Sequence, residues 1–199
     1  RALDLAGKDK RIKAVVLDLS GFLGGGMAHV QDIGAALDRV RAADKPVLTF
    51  ARAYVDDGML LAAHADEVWL DPMGGAFITG PGGNSLYFSG LLDRLNITAN
   101  VFRVGSFKSA IEPMTRTGPS DETLEAYGQL FGTLWTQWQA DYNKARPKVE
   151  LARVTGDPVG WLRESGGNVP EAALAAGMID RIGSRTDFGV RVAEVAGKA

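Results

Sequence analysis

Residues 12–20, IKAVVLDLS, are a short, apolar, β-branched run with charge before it and glycine after it. That is the pattern of a strand buried on both faces of a parallel sheet. The pattern recurs twice, in KPVLTFA (45–51), entered through Pro46, and in DEVWLDP (66–72), closed by Pro72. Between the first two runs, Val30, Ile33, Leu37 and Val40 recur at helical spacing, with Asp38, Arg39 and Arg41 turned away. A short, small-residue helix, GMLLAAHA (58–65), separates the second and third. Strand–helix–strand–helix–strand order requires crossover connections, so the chain is expected to be α/β, with a parallel sheet covered by helices.

The remainder extends this plan. A glycine-rich stretch, MGGAFITGPGG (73–83), lets backbone approach backbone or a ligand. It precedes a helix expected from about Asn84 to Leu95 and a strand expected over ITANVFRVG (97–105). A long helix follows Pro119, with Ser120 and Asp121 as candidate N-caps. Its apolar stripe is Leu124, Tyr127, Phe131, Leu134, Trp138 and Tyr142, and it ends near Arg146-Pro147. PEAALAAGMIDRIGS (170–184) reads as a short helix leading to an apolar turn, and an amphipathic helix begins near Thr186. No solenoid repeat or low-complexity linker interrupts the chain, so residues 1–199 read as one domain with the long helix projecting.

Composition removes several functional classes. The formal net charge is -2 and there is no basic run, which argues against a nucleic-acid partner. Cysteine is absent, which excludes disulfide scaffolds, cysteine nucleophiles and thiolate metal sites. No stretch approaches the ~20 apolar residues that span a bilayer. The start, RALDLAGKDKR, reads as the end of a helix entering a turn. Without an initiator Met, the chain is expected to be a piece of a longer protein, with any membrane anchor upstream.

Three features carry candidate chemistry. The two histidines, His29 and His64, lack a G-x-S-x-G elbow and any ligand spacing, so both are expected to be surface or packing residues. No metal or cofactor is expected. The turn GFLGGG (21–26) fits neither phosphate-loop pattern. It is either a tight strand-to-helix turn or a pair of backbone N–H groups aimed at an oxyanion or an extended peptide. Lys108 lies in FRVGSFKSAIEP (102–113), just past an apolar run, with Ser109 beside it and Glu112-Pro113 closing the turn. A lysine acts as a general base only when neutral, which requires desolvation. The alternative for Lys108 is an ordinary solvated lysine.

KDKRIKAVVLDLS, KPVLTFA, DEVWLDP and above all LLDRLNITANVFRVGSFKSAIEPMTR resemble the amino-terminal half of the long, two-half form of the signal peptide peptidase A (SppA) family, and GMIDRIGSRTDF resembles that family's closing segment. The resemblance implies a ClpP/crotonase-like fold, with turns of β-β-α stacked into a parallel sheet with flanking helices. It implies a serine endopeptidase working through a Ser/Lys dyad, with Lys108 as the general base. The family's serine lies in an A-S-G-G stretch ahead of an A-D-[KE]-[IV] strand entry. Counting back from Ala65-Asp66-Glu67-Val68 puts its place on Asp56, and the following glycine's place on Asp57. The nucleophile position is therefore degenerate, and the resemblance implies that the carboxy-terminal half supplies the serine. The family's S-P-G-G turn maps onto residues 21–26, without its proline, with Gly24 and Gly25 as the candidate oxyanion or peptide-backbone donors. The implied substrates are signal peptides and other extended hydrophobic peptides. The implied assembly is a homo-oligomer at the bacterial inner membrane, with the catalytic domain on the periplasmic side. Two competing readings are a scaffold or peptide-binding half without chemistry, and a crotonase-type acyl-CoA enzyme using Asp56 and Asp57.

Overall fold

The computed structural model describes residues 1–102, 104, 105 and 107–197. In chain order the elements are α1 (Ala2–Lys8), β1 (Val15–Asp18), α2 (Met27–Arg41), β2 (Val47–Tyr54), α3 (Asp56–Ala63), β3 (Glu67–Ala76), α4 (Ser89–Arg94), α5 (Glu112–Thr115), α6 (Asp121–Ala145), α7 (Leu151–Gly156), α8 (Pro158–Glu164), α9 (Val169–Ala175), β4 (Arg181–Ile182) and α10 (Arg185–Ala196). The chain divides into two compact units, residues 1–79 with 138–199, and residues 80–137.

The first unit holds a four-stranded sheet in the order β1-β2-β3-β4, parallel throughout. This is the α/β architecture expected from the alternation of buried runs and helical patterns. In β2, residues 47–51 are buried without interruption, as both-face coverage demands. On one face Leu48, Phe50 and Trp69 pack against Phe188 of α10, with Ala14, Val192 and Val195 around them. Phe188 stacks on Phe50 at 5.3 Å and meets Trp69 edge-on at 5.7 Å. Strand periodicity turns Val47, Thr49 and Ala51 to the opposite face. The cap of α10 fixes that helix against the sheet. The Ser184 hydroxyl accepts from Asp187 N, and the Asp187 carboxylate accepts from Ser184 N.

β3 runs through Pro72 to Ala76, beyond the end that proline marks in the sequence. The reason is a bulge. Leu70 pairs with Ala51, but the next pair is Gly75 with Ala53, so residues 71–74 lie opposite Arg52 alone. Pro72 falls where the ladder is already broken and its missing N–H removes no bond. The Asp71 carboxylate accepts from Met73 N and tightens the bulge. A Cβ on Gly74 would lie 2.0 Å from the Arg52 carbonyl oxygen, so only glycine fits there.

α2 and α3 connect successive strands and pack on each other. Gly34 of α2 is the contact that admits His64, whose Nε2 would lie 2.5 Å from a Cβ at that position. His64 Nδ1 lies 2.9 Å from Asp38 Oδ1, so this histidine is a packing residue between helices. Arg146, just past α6, forms a two-pronged pair with Asp180 at 2.9 and 2.7 Å, and Asp180 also accepts from Val68 N at 2.8 Å. These bonds tie the end of α6 to β3 and to the approach to β4. The segment between Pro147 and Asn168, for which the sequence suggested no element, forms α7 and α8. The Asp157 side chain caps α8 by accepting from Gly160 N.

The second unit is helical among its described residues. α4 is shorter than the helix expected over 84–95. None of the described residues of the expected strand 97–105 is in a strand. A strand needs a neighbour for its backbone N–H and C=O groups, and most of the segment's described residues are exposed, Phe102 at 99 % and Val104 at 83 %. The apolar stripe of α6 is also split. Leu124 and Tyr127 are exposed, whereas Trp138 and Tyr142 are buried and stack at 4.9 Å. No helix among the described residues is long and apolar enough to cross a membrane.

Candidate functional site

Parallel neighbours send their carboxyl ends to the same edge of a sheet, where the connecting turns meet. β1 and β2 are such neighbours, with Val16 opposite Leu48. The glycine turn after β1 and the start of α3 after β2 are therefore brought together. Asp57, in the first turn of α3, accepts at Oδ2 from Gly25 N at 2.9 Å and Gly26 N at 3.0 Å. Gly24 (φ 118°) and Gly26 (φ 77°) take up the left-handed conformations that turn these amides inward. The converging amides are thus those of Gly25 and Gly26. Gly24 instead provides clearance, since a Cβ there would lie 3.2 Å from Asp57 Oδ2. The turn is an anion-binding nest, and its anion is the chain's own carboxylate.

Asp56 is employed differently. Its Oδ1 accepts from Thr79 N at 2.9 Å and its Oδ2 from the Thr79 hydroxyl at 2.5 Å, and its backbone carbonyl accepts from Trp138 Nε1 at 3.3 Å. Both aspartates sit where a helix N-terminus favours negative charge. Both bind groups of the chain itself. A cavity of about 220 Å³ adjoins them, lined by Leu19, Phe22, Leu23, Tyr54 and Val55 among others. His29, at the start of α2, is exposed, with Nδ1 3.0 Å from the Gly25 carbonyl oxygen.

In the second unit, Lys108 is exposed and precedes two tight turns: Glu112 N donates to Ser109 O at 2.9 Å and Met114 N to Ile111 O at 3.0 Å. Arg103 and Ser106 of the same run lie outside the described residues. The same run carries exposed apolar side chains, Phe102, Val104 and Phe107. Four residues on, Glu112 is 1 % exposed. Its carboxylate accepts from Ser120 N at 3.0 Å, the Ser120 hydroxyl at 2.6 Å and the Thr123 hydroxyl at 3.0 Å. These donors, the Ser120 hydroxyl foremost, hold the carboxyl below its ordinary range against the effect of burial. The sequence marks Glu112 only as the close of a turn. Its burial is foreshadowed solely by Thr123, a residue too short to serve as the acidic partner in a helix cap.

Taken together, these features define a parallel α/β sheet whose carboxyl edge carries a self-filled amide nest, and a separate lysine-bearing run braced by a buried carboxylate. The sequence model of Peptidase family S49 matches residues 39–198, and the chain belongs to that family. It is 31 % identical to Protease 4 of Haemophilus influenzae over 99 % of this chain and 32 % of that protein. It is 26 % identical to a putative signal peptide peptidase SppA of Enterococcus faecium over 58 % of this chain and 33 % of that one. The chain thus spans about a third of the length of these relatives. Among solved structures it is similar to an enoyl-CoA hydratase/isomerase family protein from Silicibacter pomeroyi, with a TM-score of 0.41 and 16 % identity over 100 % of this chain and 69 % of that one.

Proposed function

We propose that this chain is the amino-terminal half of a bacterial membrane-associated serine peptidase that degrades signal peptides. In this reading it contributes Lys108 as the general base of a Ser/Lys dyad, and the serine comes from the carboxy-terminal half. The observation that carries the reading is the pairing of an FKSAIEP run built around Lys108 with a carboxylate, Asp56, at the nucleophile's place, bound to Thr79. A hydroxyl is absent from that position, so the attacking oxygen has to come from elsewhere.

The chemistry is acyl transfer. Neutral Lys108 Nζ takes the proton from the serine Oγ as that oxygen attacks the peptide carbonyl carbon. The C–N bond then breaks, and the lysine ammonium returns the proton to the leaving amine. Lys108 is exposed in this chain, and the exposed Phe102, Val104 and Phe107 of the same run are the apolar surface that a serine-bearing partner would cover. Covering them removes water from the ammonium and favours the neutral form. The expected partners are the carboxy-terminal half, further copies of the same protein, and signal peptides or other extended hydrophobic peptides, at the periplasmic side of the inner membrane.

A second reading, a peptide-binding half without chemistry, is favoured by one observation. Asp57 fills the amide nest of Gly25 and Gly26, which in an active site would face the oxyanion. A fluorophosphonate probe separates the two readings. Incubated with the whole protein, it should label a serine outside residues 1–199, and Lys108→Ala should abolish the labelling. Labelling indifferent to Lys108 would favour the second reading, and labelling of a serine within residues 1–199 would contradict both.

A further inference from the structure

The start of α6 is capped in an unusual way. In an ordinary capping box, the N-cap serine accepts from the N–H three residues on, and a Glu or Gln at that third position reaches back to the N-cap N–H. Here Ser120 Oγ does accept from Thr123 N at 3.2 Å. Position three is threonine, however, and cannot reach back. Glu112, eight residues upstream, takes the missing role by accepting from Ser120 N. A hydroxyl donates one proton, and those of Ser120 and Thr123 both go to Glu112. The 3.0 Å approach between the two hydroxyl oxygens is then a consequence of their sharing one carboxylate.

The residue beside Glu112 makes a second brace. The Pro113 carbonyl accepts from Phe88 N at 2.6 Å, at the entry to α4. The Glu-Pro pair thus fastens the end of the lysine run to the starts of two helices. Only Ser109, Ala110 and Ile111 separate Lys108 from this anchor, and all three lie within the turn that the Glu112 N–H closes on Ser109 O.

We propose that Glu112 is a positioning residue for Lys108, holding the lysine-bearing run in place by substituting for the missing acidic member of the α6 cap. This rests on the reading of Lys108 as the general base. A base displaced by about an ångström forfeits much of its rate while leaving binding of the substrate nearly intact.

The test uses the whole protein and a fluorogenic extended peptide. Glu112→Gln removes the charge that the three donors converge on. It should lower kcat by roughly tenfold or more, with KM within about twofold of wild type. The double variant Glu112→Gln/Thr123→Glu rebuilds a local capping box. It should restore the melting temperature while kcat stays low, because the cap is mended and the run is still untethered. Recovery of kcat together with the melting temperature would overturn the proposal and leave Glu112 a helix cap alone. An unchanged kcat in Glu112→Gln would also overturn it. Lys108→Ala, assayed alongside, keeps the two claims apart. Full activity there removes the general-base reading itself, whereas loss of activity there with a fully active Glu112→Gln removes only the positioning role.

Discussion

At the scale of single residues, the carboxylates divide by what they bind. Asp56, Asp57 and Glu112 each bind backbone N–H groups of the chain, a use to which a carboxylate is well suited because it is acceptor-only. Glu67 instead pairs with Arg191, is 19 % exposed, and is held below its ordinary range chiefly by that guanidinium's hydrogen bonds. A carboxyl lowered in the folded state binds fewer protons there than in the unfolded chain. Its contribution is therefore complete above the unfolded value and disappears as pH falls through the folded one. Melting curves should show Glu67→Gln less stable than wild type at pH 7, with the two converging below about pH 4. A constant gap down to pH 3 would show that the pair does not contribute through its charge. The sequence singles out Lys108 and Asp56 as expectations, because motif and strand entry are local patterns. Gly26 and Glu112 could not be read that way, since their roles depend on partners 31 and 8 residues distant.

At the scale of elements, the buried strands were legible because continuous apolar runs have few other solutions. What the sequence could not show was how the ladder accommodates an awkward residue. Pro72 looks like a terminator and is instead absorbed by the bulge opposite Arg52. That bulge depends on Gly74, so Gly74→Ala, which forces a Cβ onto a backbone oxygen, should destabilise the protein by about 3 kcal/mol in chemical denaturation. A loss below about 0.5 kcal/mol would mean the bulge readily relaxes. The segment 97–105 failed in the opposite direction. Its β-branched and aromatic residues have strand propensity, but propensity reflects fit to a half-buried surface. Its described residues find no such surface in this chain.

At the scale of the whole molecule, the sheet unit and the helical unit carry different parts of one account. At the sheet's carboxyl edge, Asp56 binds Thr79 and Asp57 fills the amide nest of the glycine turn. The lysine run has Lys108, the Glu112 anchor and exposed apolar side chains. Membership of Peptidase family S49 fits the proposed reading, in which Lys108 works on a serine supplied from outside these residues. The most direct measurement is turnover of an extended hydrophobic peptide by the whole protein carrying Lys108→Ala, with folding verified by its melting temperature. Loss of a general base predicts a fall in kcat of roughly 10²–10⁴-fold. Turnover within about twofold of wild type would contradict the account.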